Sequence, residues 1–187
     1  MIRSALICVG VLLPFASSSA SSLPFLHDLK FRQVTALYMP GVDWRLLKAQ
    51  CYQESRLIPD AVSPAGAMGL CQFMPATWRG IIRQGKLPPD ASAFAPRLSI
   101  EAAGFYMGKL RAEWSSPRPE WDRHSLALAS YNAGLGHLLT AQHKCNGAVL
   151  YSRIIPCLPA VTGRHSAETI NYVTSIWGWF DKMKKGW

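Results

Sequence analysis

The sequence predicts an all-α domain, and three observations carry that prediction. Segments with apolar residues at helical spacing recur along the chain, strand signals are nearly absent, and the proline-rich stretches Leu87 to Pro96 and Ser115 to Pro119 separate helical segments as loops. No internal repeat is visible, and the length suits a single domain with one core.

The first twenty residues read as a signal peptide. Arg3 is followed by an apolar run from Ala5 to Ala16 and then by SSSASS, which offers small residues at Ser18 and Ala20 for cleavage. The run is shorter than the ~20 apolar residues that a spanning helix needs. The expectation is therefore export to the periplasm or secretion, with residues 21–187 as the working domain and membrane attachment only if the N-terminal segment stays uncleaved. Cys8, preceded by Ala5-Leu6-Ile7 and close to the start, makes a poor lipoprotein signal.

The whole chain has 20 Lys+Arg against 11 Asp+Glu, a net charge of +9, which becomes +8 once Arg3 leaves with the leader. In an exported protein that excess suits an acidic wall polymer or an anionic membrane surface, although general solubility would call for it equally. Basic residues are scattered and no nucleic-acid-binding motif occurs, so nucleic acid is excluded as a partner.

A helix is expected from about Val42 to Ser55, opened by Asp43 as N-cap and free of Pro and Gly inside. Leu47, Cys51 and Glu54 fall at i, i+4 and i+7, which places Glu54 on the buried stripe near the C-terminus. Burial and the negative end of the helix dipole both disfavour a charged carboxylate there, so its pKa rises toward the range of a general acid. A surface glutamate at a frayed helix end is the alternative. From Ala61 to Thr77 the chain is a small-residue loop, AVSPAGAMGLCQFMPAT, with a turn at Pro64 and Gly66, close backbone approach at Gly69 and a helix restarting at Met74-Pro75.

Further helices are expected at about Pro75 to Gln84, Ser99 to Trp114, His124 to Ser130, Leu135 to Gln142 and Ala167 to Lys182, with Ser99 and Ser166 as caps. In the last, Ile170, Val173, Trp177 and Phe180 form the apolar stripe. Tyr131 and Asn132 stand where the helix that begins at His124 stops before Ala133-Gly134; they are either presented to a site or are a core tyrosine and a helix-end amide. Glu168 and Tyr172 share one helix face, although an acid in a first turn is favoured by the dipole alone. Trp44, Trp78 and Trp114 are expected to be buried rather than to stack on a ligand.

Without Cys8 the cysteines number four, and an even number in an exported chain points to two disulfides. Local pairing, Cys51 with Cys71 and Cys145 with Cys157, closes loops of roughly 10 to 20 residues, each worth about 3 kcal/mol in the chain-entropy model. A Cys51–Cys145 link is the competing connectivity, and an uncleaved leader would allow Cys8 to pair with Cys51 and block the site until thiol exchange. His143, Cys145, Cys157 and His165 match no common zinc spacing, so no metal or other cofactor is expected.

Four ordered motifs, Glu54-Ser55, Ala61 to Thr77, Ser130-Tyr131-Asn132-Ala133-Gly134 and Glu168-Thr169-Ile170-Asn171-Tyr172-Val173, resemble the lytic transglycosylases of the soluble, goose-lysozyme-like type. The family pattern runs approximately ES, AxSPxGAxGLMQxMPxT, AYNAG, ETxxYV. Cys71 replaces the usual Met, Ser130 the usual Ala, and Leu135 stands where Pro is common; none of these removes a polar group that the family uses. The resemblance implies a lysozyme-like fold and a monomer acting on peptidoglycan, with Glu54 as the catalytic acid and then base. It implies cleavage between N-acetylmuramic acid and N-acetylglucosamine to leave 1,6-anhydromuramoyl ends. By the same resemblance Tyr131 approaches Glu54, and Glu168, with Tyr172 on its face, contacts the glycan or peptide. Ser63 and Gln72, as polar groups on the loop flanking Glu54, and Tyr131 and Asn132, by their hydrogen-bonding groups, are further expected substrate contacts. One convincing carboxylate, where ordinary glycosidases use two, fits a substrate that supplies its own nucleophile. The alternatives are a goose-type lysozyme or phage endolysin hydrolysing the same bond, and a peptidoglycan-binding module without activity.

Overall fold

In the computed structural model Phe25 and residues 27–186 are described. The expected signal peptide and Cys8 lie outside these residues. Among them there is no strand, only isolated antiparallel bridges of Val62 and Phe73 to Met68. The α-helices are α1 (Asp28–Tyr38), α2 (Trp44–Ser55), α3 (Pro75–Arg83), α4 (Pro96–Glu113), α5 (Glu120–Ala133), α6 (Leu135–Lys144), α7 (Tyr151–Ile154), α8 (Pro159–Thr162) and α9 (Ser166–Lys184), with single 3-10 turns after α7 and α8.

α5 is the centre of the domain. Every residue from His124 to Ser130 is buried, so the helix is enclosed on all sides, between α4, α6 and α9. Burial of Leu126, Leu128, Ile100, Met107 and Ile176 supplies the hydrophobic driving force, at roughly 25 cal/mol per Å² of apolar surface. α2 lies along α9, and α1 lies on α4 and α2.

Asp43 caps α2 as its sequence suggests, accepting from the Arg45 amide at 3.0 Å. α1 has no counterpart among the expected helices. It carries no side-chain cap, its N-cap His27 is left-handed, and only Phe31, Val34 and Thr35 are buried, so the periodic signal is weak. Tertiary contacts hold it instead. Lys48 of α2 pairs with Asp28 at 2.5 Å, Lys30 and Tyr38 both donate to Glu101 of α4, and Gly104 lets Val34 approach so closely that a Cβ there would sit 2.0 Å from its methyl carbon.

Two expected caps differ. α4 begins at Pro96, the favoured residue of a first turn, and leaves Ser99 buried inside the helix. Ser166 is the first residue of α9 and donates to the Gly163 carbonyl. The apolar face of α9 is also displaced: Tyr172, Val173, Ile176, Phe180 and Met183 are buried, whereas Ile170 is exposed. Trp78 and Trp114 are buried as expected, while Trp44 is half-buried beneath the Arg32 guanidinium.

The loop 61–73 is fixed at Gly69. Its φ of +75° suits glycine, and a Cβ would meet the Ala93 carbonyl oxygen at 2.0 Å. Gly69→Ala is expected to destabilise the fold by about 2–4 kcal/mol through strain and forced separation of the two loops. A denaturant midpoint unchanged from wild type would show that the loops part freely.

Candidate active site

Glu54 is the last residue but one of α2, and the chain leaves the helix through two successive left-handed residues, Arg56 (φ 59°) and Leu57 (φ 63°). Neither is glycine, so the reversal is held by its surroundings. Leu57 packs on the core, the Arg56 amide donates to the Tyr52 carbonyl, and Ser55 Oγ donates to the Leu70 carbonyl at 2.8 Å.

The following loop is lashed to the same helix. Cys51 and Cys71 form a disulfide, both fully buried, and Cys145 pairs with Cys157. The Cys71 amide donates to Ser99 Oγ of α4 at 3.2 Å, and the Tyr131 hydroxyl of α5 donates to the Cys71 carbonyl at 2.8 Å. One cysteine thus joins α2, α4 and α5.

Tyr172 Oη donates to Glu54 Oε1 at 2.6 Å. The hydroxyl bonded to the carboxyl is therefore Tyr172, placed by α9, while Tyr131 stands near enough for the Glu54 charge to be felt but spends its own hydrogen bond on the loop. Although Glu54 as a whole is only partly buried, its carboxyl is densely surrounded. Its pKa is pushed up to about 8 in all: burial raises it most, the Tyr172 hydrogen bond pulls it partly back, and the Glu168 charge adds to the rise. Burial also raises the pKa of Tyr172 well above that of a free phenol, so it stays a donor. Behind this pair Gln50 is wholly buried and approaches the Tyr172 hydroxyl without a hydrogen bond of normal geometry.

Glu54 opens onto a cleft of about 360 Å³ walled by Asn132 from α5 and by Glu168, Asn171, Tyr172 and Ser175 from α9. Asn132 and Glu168 also line an adjoining hollow of about 320 Å³ that reaches His137, Thr162 and His165. The two together make an elongated polar groove rather than a deep pocket. Asn132 Oδ1 accepts from Thr169 at 2.7 Å, and Gln53, beside Glu54, accepts from Trp179 Nε1 at 2.8 Å.

The structure brings Glu54, Asn132, Glu168 and Tyr172 together in this cleft. Ser63 and Gln72 are not among its walls. Ser63 Oγ accepts from the Ala67 amide, and Gln72, itself at φ 51°, donates its side-chain amide to the carbonyls of Ala61 and Gly69, so both hold the loop in shape. Asn132 and Tyr131 lie in the last turn of α5 rather than beyond it. Sequence reasoning missed Gln53, Asn171 and Ser175. The last two follow Glu168 at i+3 and i+7 on α9, so the face that carries Glu168 and Tyr172 was the available signal.

The buried acid changes stability with pH in a defined direction. Glu54 has a folded pKa raised from 4.5 to about 8, so its contribution is fully present below pH 4.5 and is lost as pH rises toward 8. Glu54→Gln, which cannot ionise, should gain stability over wild type across that window, by a few kcal/mol at its top. Equal melting temperatures at pH 5 and pH 8.5 for the pair would contradict the raised pKa.

Residues 34–148 match the model of the transglycosylase SLT domain. The membrane-bound lytic murein transglycosylase F of Serratia proteamaculans (strain 568) is 36% identical over 128 residues, which are 68% of this chain and 24% of that relative. Among solved structures, the 70-kDa soluble lytic transglycosylase in complex with bulgecin A superposes with a TM-score of 0.69 at 23% identity, over 88% of this chain and 25% of that one. The 70-kDa soluble lytic transglycosylase SLT70 from Escherichia coli gives a TM-score of 0.64 at 23% identity, over 83% and 24% respectively. The chain thus spans about a quarter of the length of these proteins. The structural likeness is one of fold, that of a lysozyme-like helical domain, and the match over residues 34–148 covers most of the chain: it belongs to the transglycosylase SLT domain family.

Proposed function

We propose that the chain is a peptidoglycan lytic transglycosylase, exported to the periplasm or beyond, with Glu54 as the one residue that moves protons. The observation that carries this reading is a carboxyl at the wall of an elongated polar groove, held protonated near neutral pH by burial and aligned by Tyr172.

The chemistry follows from that state. With Oε1 accepting from Tyr172, a protonated Glu54 carries its hydrogen on Oε2. That proton goes to the oxygen linking N-acetylmuramic acid to N-acetylglucosamine as the bond to C1 breaks, and the muramoyl N-acetyl group stabilises the resulting cation. Glu54 is then a carboxylate, and the Tyr172 hydroxyl bonds it more strongly than the neutral acid. The carboxylate takes the proton of the C6 hydroxyl while O6 closes onto C1. Glu54 returns to its starting state, no water is consumed, and the product is a 1,6-anhydromuramoyl end. Asn132 and Glu168 flank the groove as contacts for sugar or peptide.

Glu168 also supports a second reading. It is a further carboxylate on the same groove, and a lysozyme-like hydrolase could use it to activate water. The products separate the two. Purified peptidoglycan digested by the wild type should give muropeptides that resist borohydride reduction and lack one water by mass. Fully reducible ends would mean hydrolysis, and binding without cleavage would leave only a binding module. Turnover should also persist up to about pH 8 and fall above it, as the acid deprotonates.

A further inference from the structure

Arg56 occupies a position where glycine or asparagine would cost less, the left-handed cap of α2 immediately beyond the Glu54-Ser55 pair. Its guanidinium lies 5.0 Å from the ring centre of Trp179 and 4.8 Å from that of Tyr52. Lys182, from the last turn of α9, places its ammonium 4.2 Å from the same Trp179 ring. Two cations from different helices therefore converge on one indole.

That indole is tied to the cleft. Trp179 Nε1 donates to Gln53, the cleft residue adjoining Glu54, and Trp179 stands one turn beyond Ser175, another cleft residue, or about 6 Å along the helix. A capping role accounts for part of the arrangement, since Arg56 Nη1 donates to the Tyr52 carbonyl and Lys182 suits a helix C-terminus. It does not account for the convergence. Arg56 and Lys182 are both exposed, and neither is in an ion pair among the described residues, unlike Arg45, Lys48, Arg111 and Arg123. Stacking against an aromatic ring holds the two charges in place without neutralising them. With two cations against its ring and its Nε1 tied to Gln53, Trp179 stands beside the cleft as their post rather than in its wall as a platform for a neutral sugar.

We propose that Arg56 and Lys182 form a carboxylate-binding site beside the cleft, next to Gln53, and that its ligand is the acidic peptide hanging from a muramoyl sugar. This rests on the peptidoglycan reading above and names a part of the substrate that the groove alone does not select. The glycan backbone lies across Glu54 and Asn132, and the peptide arm reaches past Ser175 to the two charges. Its carboxylates are then bound without being buried, so the effect is on substrate capture.

The test crosses the two cations with the carboxylates they would meet. The variant Arg56→Asn with Lys182→Gln keeps the left-handed cap comfortable while removing both charges. It is assayed against intact peptidoglycan and against the same material with its peptide carboxyl groups converted to amides. The double variant should lose about tenfold in kcat/KM on the intact polymer, mostly through KM, and less than twofold on the amidated one; amidation should lower the wild type by a similar factor. Arg56→Lys with Lys182→Arg, which keeps both charges, should retain the preference for free carboxylates. Equal losses on both substrates, or none on either, would overturn the proposal. A wild type that releases no ends from either polymer would sink the enzymatic reading, and this inference with it, whereas a wild type that cleaves both equally well sinks the inference alone.

Discussion

Glu54→Gln is expected to lower turnover of peptidoglycan by roughly 10²–10⁴ or more, the scale of general acid catalysis, while leaving the fold intact. The amide keeps the size of the side chain and an oxygen that can accept from Tyr172, so the 2.6 Å contact between α2 and α9 survives the change. What disappears is the transferable proton. Because the same residue is proposed to serve as acid and then as base, both halves of the reaction fail together. Substrate binding should change little, which makes the defect one of kcat. An activity within tenfold of wild type would remove Glu54 from the chemistry and turn attention to Glu168, the other carboxylate of the groove.

Removing the Cys51–Cys71 disulfide should have the second largest effect. The bond closes a loop with a sequence separation of 20, worth about 3 kcal/mol in unfolded-chain entropy. Converting both residues to alanine should cost at least that much, because both cysteines are fully buried and the loss of their sulfurs leaves space in the core. Activity should fall further than stability requires. The carbonyl of residue 71 accepts from Tyr131 and its amide donates to Ser99, so a loosened loop shifts the wall against which the Glu54 carboxyl is buried. Thermal unfolding with product assays on the folded fraction separates the two effects. Intact specific activity in that fraction would show that the disulfide serves stability only. The pair Cys145–Cys157, which keeps some exposure and lies near α6 and α8, should be the easier to reduce and should leave activity nearly unchanged.

The parts of this fold legible in the sequence are those whose signals are local. α2 announces itself through the Asp43 cap and an uninterrupted run to Ser55, and Glu54 follows from its place on that run. α1 escaped because its stability comes from partners far along the chain, above all Glu101 and the glycine gap at Gly104. Ser99 has the chemistry of a cap and points to a start for α4 three residues too late, whereas Pro96 begins the helix and Ser99 accepts from the Cys71 amide. The short helices α7 and α8 lie in a stretch broken by Pro156 and Pro159, with too few residues for periodicity to show.

The site divides the same way. Resemblance to the family motifs brings Glu54, Asn132, Glu168 and Tyr172 forward, and these four line one cleft. It could not say which tyrosine would reach the acid, because that depends on how α9 packs against α2. Nor could it distinguish a loop polar group aimed outward from one consumed by its own backbone. Ser63 and Gln72 are of the second kind, since a loop with so few side chains must satisfy its carbonyls and amides from within.

The order in which the chain emerges has a consequence of its own. Glu54 is made early, and the tyrosine that grips it comes 118 residues later. Until α9 has been synthesised and docked, α2 lacks the neighbour against which its last turn is buried, and Glu54 faces water with ordinary carboxylate acidity. A chain stalled or cut before Ser166 therefore holds a motif but no proton donor at neutral pH. On the proposed mechanism, competence arrives all at once, at the end of folding, and a damaged C-terminal helix would silence the site without touching Glu54 itself.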